Sequence, residues 1–262
     1  MFDSKKPVIG MLHAPALLGS PKYQKNRKAI VDFVLKDAET LLGGKVNGLL
    51  LENYWDMPFF PEEVPPETVA HLSLLARAIK NTFRAPLGIN VLRNDARSAL
   101  AIAKASGAEF IRVNILTGAR LTDQGIIEGK AHEVFRYREQ IGASGIKIFA
   151  DIEVKSSWAL ANRTAEEEVS DTLKRAGADG LIVSGMSTGK PVDLKHLQLV
   201  KSLSPKTPVW IGSGVDQKNI KKLSHWADGF VVGSSLKPQI ESPIEKNRVI
   251  DLMKALSKGK RA

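Results

Sequence analysis

The stretch KIFADIEVK, residues 147–155, sets charged residues against small and apolar ones in alternation. Side chains along a strand point to opposite faces in turn. Ile148, Ala150, Ile152 and Val154 therefore share one face, and Lys147, Phe149, Asp151, Glu153 and Lys155 share the other. Two carboxylates beside a lysine are the material of general acid–base catalysis, because a nearby cation sets the carboxyl pKa. Lys155 is also the residue type that forms Schiff bases, although a lysine next to two carboxylates is expected to be charged and paired. Related residues end other apolar runs: Glu52 closes NGLLLE, Asn90 lies in PLGINV, and Arg112 and Asn114 lie in EFIRVN. The expected catalytic set is Asp151, Glu153, Lys155, Arg112 and Glu52. Asn90 and Asn114 are expected to orient substrate hydroxyls, with His13, Ser184 and Gly185 as further substrate contacts.

Two glycine turns offer a place for an anion. Gly212–Ser213–Gly214 precedes Asp216 at a helix start, and Gly233–Ser234–Ser235 precedes Leu236 and Lys237. Glycine lets backbone N–H groups approach a phosphate, and a helix N-terminus adds positive potential. The expected phosphate-binding residues are therefore Gly212, Ser213, Gly214, Gly233, Ser234 and Ser235. The segment SGMSTGK (184–190) has phosphate-loop composition but not Walker spacing, since only three residues separate Gly185 from Gly189. It reads as a rim loop covering the phosphate, not as the loop of a nucleoside triphosphatase. No cofactor is indicated. Glu52, Asp151 and Glu153 are oxygen ligands of the kind Mg²⁺ takes, but no histidine or cysteine cluster accompanies them.

These residues need a scaffold that brings strand ends together. Eight short apolar runs recur, with strands expected near 8–12, 48–52, 87–91, 110–114, 146–154, 180–184, 209–212 and 229–233. Each is bounded by Gly, Pro or Asp, and segments of helical spacing separate them. Val69, Leu72, Ala76, Ile79 and Phe83 fall on one helical face, and Asp95, Asp193 and Asp216 stand at cap positions. Eight alternating units in 262 residues predict an α/β fold, a single (β/α)8 TIM barrel over 1–262 with a basic tail at 254–262. A doubly wound open sheet is the alternative, but it gives no reason for eight units. In a barrel the outer strand face packs on helices, and the inner face turns polar at the C-terminal mouth. That rule turns Asp151, Glu153 and Lys155 inward, and sends Val113, Ile115 and Val154 toward helices. A purely structural alternative is an ionic plug pairing Arg112 with Glu52, and Lys155 with Asp151 or Glu153.

Two long loops remain. ENYWDMPFFPEEVPPET (52–68) carries Tyr54, Trp55, Phe59 and Phe60, read as loop anchors or a self-association surface in preference to a pocket wall. TGARLTDQGIIEGKAHE (117–133) sets Arg120, Asp123, Gln124, Glu128 and His132 near the mouth, with glycines that suit a lid and, equally, a well-packed surface loop.

Composition narrows the function. Hydrophobic residues make up 43% and charged residues 25%, with no cysteine, which removes disulfides, thiol catalysis and thiolate metal sites. No apolar run approaches a membrane span, and MFDSKKPVIGM lacks the apolar centre of a cleavable leader. A cytoplasmic protein is expected. The formal charge of +10 is spread over the chain without nucleic-acid recognition motifs. The expected partners are a phosphorylated small molecule and further copies of the chain in a homo-oligomer. Nucleic acid is not expected.

GMLHAPALLGSP, LLENYWDMPF, PLGINVLRNDARSAL, FIRVNILTGARLTDQGIIEG, ADIEVK, ADGLIVSGMSTG, GSGV and ADGFVVGSSLK together resemble the BtpA/SgcQ family, over roughly residues 7 to 250. The resemblance implies a ribulose-phosphate-binding type of barrel. It also implies an association with photosystem I biogenesis, and so contact with a membrane or membrane complex in an assembly role. One departure stands after ADIEVK, where SSWALANR replaces the histidine expected soon after the lysine.

Overall fold

The computed structural model describes residues 1–185 and 191–257. Eight parallel strands close into a barrel: β1 (Val8–His13), β2 (Gly48–Glu52), β3 (Leu87–Asn90), β4 (Phe110–Val113), β7 (Lys147–Ile152), β9 (Gly180–Val183), β10 (Val209–Ile211) and β11 (Gly229–Val232). β11 closes on β1 with Val8 opposite Phe230. A separate three-stranded sheet, β5 (Ala119–Thr122), β6 (Gly125–Glu128) and β8 (Trp158–Ala159), sits over loops at the C-terminal end. The loop expected to be a lid or a well-packed surface segment therefore contains a paired hairpin. Helices α1 (Arg27–Gly43), α2 (Pro66–Thr82), α3 (Ala96–Ser106), α4 (Ala131–Gln140), α5 (Ala165–Ser170), α6 (Leu194–Leu203), α7 (Ile220–Leu223) and α8 (Lys246–Ser257) surround the barrel. Among the described residues no helix is long and apolar enough to cross a membrane.

Alternation works as the strand rule requires. Val8, Leu12, Leu49, Leu51, Ile89, Ile111, Ile148, Ala150, Val183 and Ile211 pack outward in the large core shared with the helices. The inner face begins apolar, with Ile9, Met11, Leu50, Phe110, Phe149, Ile182, Trp210 and Val231 in one cluster. Three of its rings meet a glycine in register on the next strand: Phe110 opposite Gly88, Phe149 opposite Gly180, Trp210 opposite Gly229. A Cβ at Gly229 would lie only 2.6 Å from the Trp210 ring, and one at Gly88 or Gly180 would collide with its own partner ring. Phe149 and Trp210 stack with centroids 3.9 Å apart, and Phe110 meets both edge-on. The rings close the barrel interior below the mouth, so polar groups gather only at the C-terminal ends.

Strand β7 stops at Ile152, short of the expected 154. Glu153 takes φ +49° and Ser156 φ +56°, left-handed conformations that end the alternation. Val154 therefore packs with Ile115 and Ile127 beneath the hairpin rather than on helices. Asp95 and Asp193 cap α3 and α6 as expected, accepting from the N–H groups of Ser98 and Lys195. Asp216 instead accepts from Lys218 and Asn219 N–H in a turn, and α7 is only four residues long.

Candidate active site at the barrel mouth

At the C-terminal end of the barrel a pocket is lined by His13, Glu52, Tyr54, Arg112, Lys155 and the two glycine turns, Gly212–Val215 and Gly233–Ser234. Arg112 comes from the end of β4 and Asp151 from the penultimate position of β7, so parallel register brings them together. Arg112 Nε donates to Asp151 Oδ1 at 2.9 Å and Nη2 to Oδ2 at 2.8 Å. Asn114 Nδ2 also donates to Oδ2, at 3.0 Å, and Asn90 Nδ2 donates to Asn114 Oδ1 at 3.1 Å. Asp151 is thus held by three donors, and its carboxylate positions the Arg112 guanidinium. The ionic plug is corrected, since Arg112 pairs with Asp151 and not with Glu52. Burial, the largest single influence, would lower the Arg112 pKa, but the charge and hydrogen bonds of Asp151 together with the Glu52 charge outweigh it and the net shift is upward. Arg112 Nη1 has no hydrogen-bond or ion-pair partner among the described residues.

Glu52, at the last position of β2, is buried, and His13 Nε2 stands 3.9 Å from its Oε1. Burial raises its pKa from the ordinary 4.5, and Arg112 and Lys155 only partly oppose that rise. His13 is pushed well below 6.5 by burial and then by Lys237, Lys155 and Arg112, so its imidazole is neutral at neutral pH. The ring packs on Tyr54 at 4.6 Å between centroids. Lys155 makes no ion pair or side-chain hydrogen bond among the described residues, contrary to the expected pairing, and Asp151 pairs with Arg112 instead. Burial and then Arg112 lower its pKa from 10.5, against the opposing pull of Glu52 and Asp151.

Glu153 is the one expected catalytic residue that leaves the mouth. Its positive φ carries it outward, where its backbone N–H donates to Glu168 and its carboxylate stands 3.6 Å from His196. The oxygen donors Glu52, Asp151 and Glu153 therefore do not converge, and no His, Asp or Glu triad fit for a metal exists among the described residues.

The glycine turns border the pocket but their serines divide. Ser213 Oγ accepts from Gly185 N–H at 3.1 Å, and Ser235 Oγ donates to Val215 C=O at 2.7 Å, so both hydroxyls tie the loops together. Gly185 is likewise used structurally. The N–H groups of Gly214, Gly233 and Ser234 donate to nothing among the described residues. A Cβ at Gly212 would lie 2.7 Å from Ser184 Oγ and 3.1 Å from Arg112 Nη2, so bare backbone is needed there. Three buried polar atoms around the mouth, His13 Nδ1, Asn90 Oδ1 and Ser184 Oγ, lack hydrogen-bond partners. Such atoms in a polar cleft normally find water or ligand. Of the rim loop 184–190, residues 186–190 lie outside the described residues, as do 258–262 of the basic tail.

Three contributors fall outside the expected site residues, and one of them, Tyr54, was expected to anchor its loop in preference to lining a pocket. Tyr54, in the loop after β2, lines the pocket while Trp55 anchors that loop on Phe33. Arg93, three residues past Asn90, is buried and donates through Nη2 to the Lys155 carbonyl at 2.8 Å. Lys237 pairs with buried Asp37 of α1 at 3.3 Å and adds positive potential behind His13. Alternation along strands finds none of them, because all three lie beyond strand ends; proximity to Glu52, Asn90 and Ser235 was the available signal.

These features define a (β/α)8 barrel with a buried ionic cluster at its C-terminal mouth, flanked by two glycine turns. The BtpA family model matches residues 4–258, and the chain belongs to that family. It is 43% identical over 260 residues to "Photosystem I biogenesis protein BtpA" of Synechocystis, covering 98% of this chain and 90% of the relative. An uncharacterized protein of Thermococcus kodakarensis is 42% identical, with 98% of each chain covered. Among solved structures, N-(5'-phosphoribosyl)anthranilate isomerase from Pyrococcus furiosus superposes with TM-score 0.59 at 13% identity, covering 97% of this chain and 99% of that one. At that identity the likeness shows the shared barrel fold.

Proposed function

We propose that this chain is an enzyme that binds a phosphorylated small metabolite, a sugar phosphate or nucleotide fragment, and performs acid–base chemistry of the isomerase, lyase or nucleosidase kind. The observation that carries the reading is the pocket itself: a buried carboxyl of raised pKa, Glu52, shares it with the Arg112 guanidinium and two turns with unspent N–H groups. The turns and Arg112 Nη1 grip the phosphate. Glu52 moves the proton, since a carboxyl titrating closer to neutrality serves as both donor and acceptor. Asp151 and Asn114 hold Arg112 in place, and neutral His13 contacts a substrate hydroxyl through Nδ1. The phosphoribosyl substrate named for the superposable isomerase agrees with this reading, as loops after the last two strands of such barrels often hold phosphate.

A non-catalytic assembly role is the second reading, favoured by the name of the Synechocystis relative. Self-association, whether of an enzyme or a scaffold, would use the loop that exposes Met57 and Phe60, and a scaffold's contact with a membrane complex would lie outside the mouth. Thermal unfolding with inorganic phosphate and ribose 5-phosphate separates the readings. The enzyme reading expects stabilisation by ribose 5-phosphate that is lost in Ser234→Asp, whose carboxylate repels the anion. A flat response in the unaltered chain favours the scaffold.

A further inference from the structure

Lys155 stands two residues past Glu153, where the β7 alternation ends, and lines the pocket together with Glu52 and Arg112. Its backbone is held there by Arg93, whose Nη2 donates to the Lys155 carbonyl. Its amine stands among two carboxylates without pairing to either. Asp151 is consumed by Arg112 and Asn114, and Glu52 keeps beyond 4 Å of it. A half-buried lysine kept only to neutralise a carboxylate would be expected to contact one. On the reading that the mouth holds a phosphorylated metabolite, we infer that Lys155 is a nucleophilic amine that forms an imine with the carbonyl group of an aldehyde or ketone sugar phosphate.

The step balances within the pocket. The Lys155 nitrogen lone pair attacks the carbonyl carbon, forming the C–N bond, while the carbonyl π pair moves to oxygen. That oxygen takes the Glu52 proton, and the Glu52 carboxylate then takes a proton from the new ammonium nitrogen. Glu52 next returns that proton to the carbinol hydroxyl; the C–O bond breaks, water leaves and the nitrogen lone pair completes the iminium. The cation so formed stands beside the Glu52 carboxylate, and it draws electrons from the adjacent carbon, the requirement for isomerisation or carbon–carbon cleavage. The same surroundings favour a neutral amine at the start, since burial and the Arg112 and Arg93 charges disfavour the ammonium. The glycine turns that line the same pocket fix the class of substrate as a phosphorylated carbonyl compound.

The test is reductive trapping. The full chain is incubated with ribose 5-phosphate or dihydroxyacetone phosphate plus sodium cyanoborohydride, and the adduct is mapped by peptide mass spectrometry. The expected result is one dominant adduct, of the sugar phosphate mass less one oxygen, on Lys155. It should be at least tenfold depleted by excess inorganic phosphate and should be much weaker with ribose, which lacks the phosphate. Lys155→Met should lose the adduct but keep stabilisation by inorganic phosphate; if that variant does not fold, site mapping and phosphate competition in the unaltered chain decide. Phosphosugar binding in calorimetry without an adduct on Lys155, or with lysines labelled indiscriminately, overturns the imine and leaves the phosphate reading standing. No binding of either phosphosugar overturns both.

Discussion

Asp151 and Glu52 are both carboxylates at the mouth, yet their surroundings assign them different work. Asp151 accepts three hydrogen bonds from Arg112 and Asn114, so its charge is spent on holding a guanidinium. Removing one partner of a buried ion pair strands the other charge, at about 3–5 kcal/mol. Asp151→Asn is therefore expected to lower urea-unfolding stability by about 3 kcal/mol, with lost turnover following from the displaced Arg112. Unchanged stability with abolished turnover would return Asp151 to the role of base. Glu52 behaves oppositely. Its folded pKa is raised, so it favours the native state fully below 4.5, and that contribution is lost as pH rises through the folded value. Glu52→Gln should match the unaltered chain in stability below that pH and exceed it at neutral pH, while turnover falls by about 100-fold or more. A neutral-pH loss of stability in this variant would make Glu52 a structural group. Strand alternation in the sequence was enough to gather Glu52, Asn90, Arg112, Asn114 and Asp151. It was not enough to pair them, because pairing depends on the stagger between strands. Glu153 escaped the rule because its own left-handed φ takes it off the strand and out of the mouth, while Lys155 still reaches the pocket.

At the scale of elements, the eight strands and the outward apolar faces were readable from turn residues and period-two patterning. The inner face was less so. Gly88, Gly180 and Gly229 look like ordinary turn glycines in sequence, yet each clears space for the ring opposite it in register. That matching involves residues from different strands, and no local pattern displays it. Gly180→Ala is expected to cost about 1–3 kcal/mol, as overpacking does in well-filled cores, and a denaturant midpoint unchanged from the parent would contradict the ring-and-glycine packing. The hairpin over residues 119–128 was also hidden, since its glycines and polar residues resemble those of an irregular loop. Its strands pair Leu121 with both Ile126 and Trp158, all three exposed at the surface, while buried Ile127 covers Ile115 and Val154.

The whole molecule combines an aromatic-filled interior with a charged mouth. Together these concentrate Arg112, Lys155 and Arg93 at one end of a chain whose formal charge is +10. Burying like charges together is costly unless an anion joins them. Ligand anions should therefore stabilise the whole barrel, by about 2.7 kcal/mol at a hundredfold excess over the dissociation constant. Ribose should do nothing. The most direct test is a crystal structure with ribose 5-phosphate. The phosphorus is expected in contact with the N–H groups of Gly214, Gly233 and Ser234 and with Arg112, and the sugar carbonyl end is expected beside Lys155 and Glu52. Electron density that puts the sugar phosphate outside the mouth, or a mouth in which Lys155 closes onto a carboxylate and admits no anion, would contradict the account.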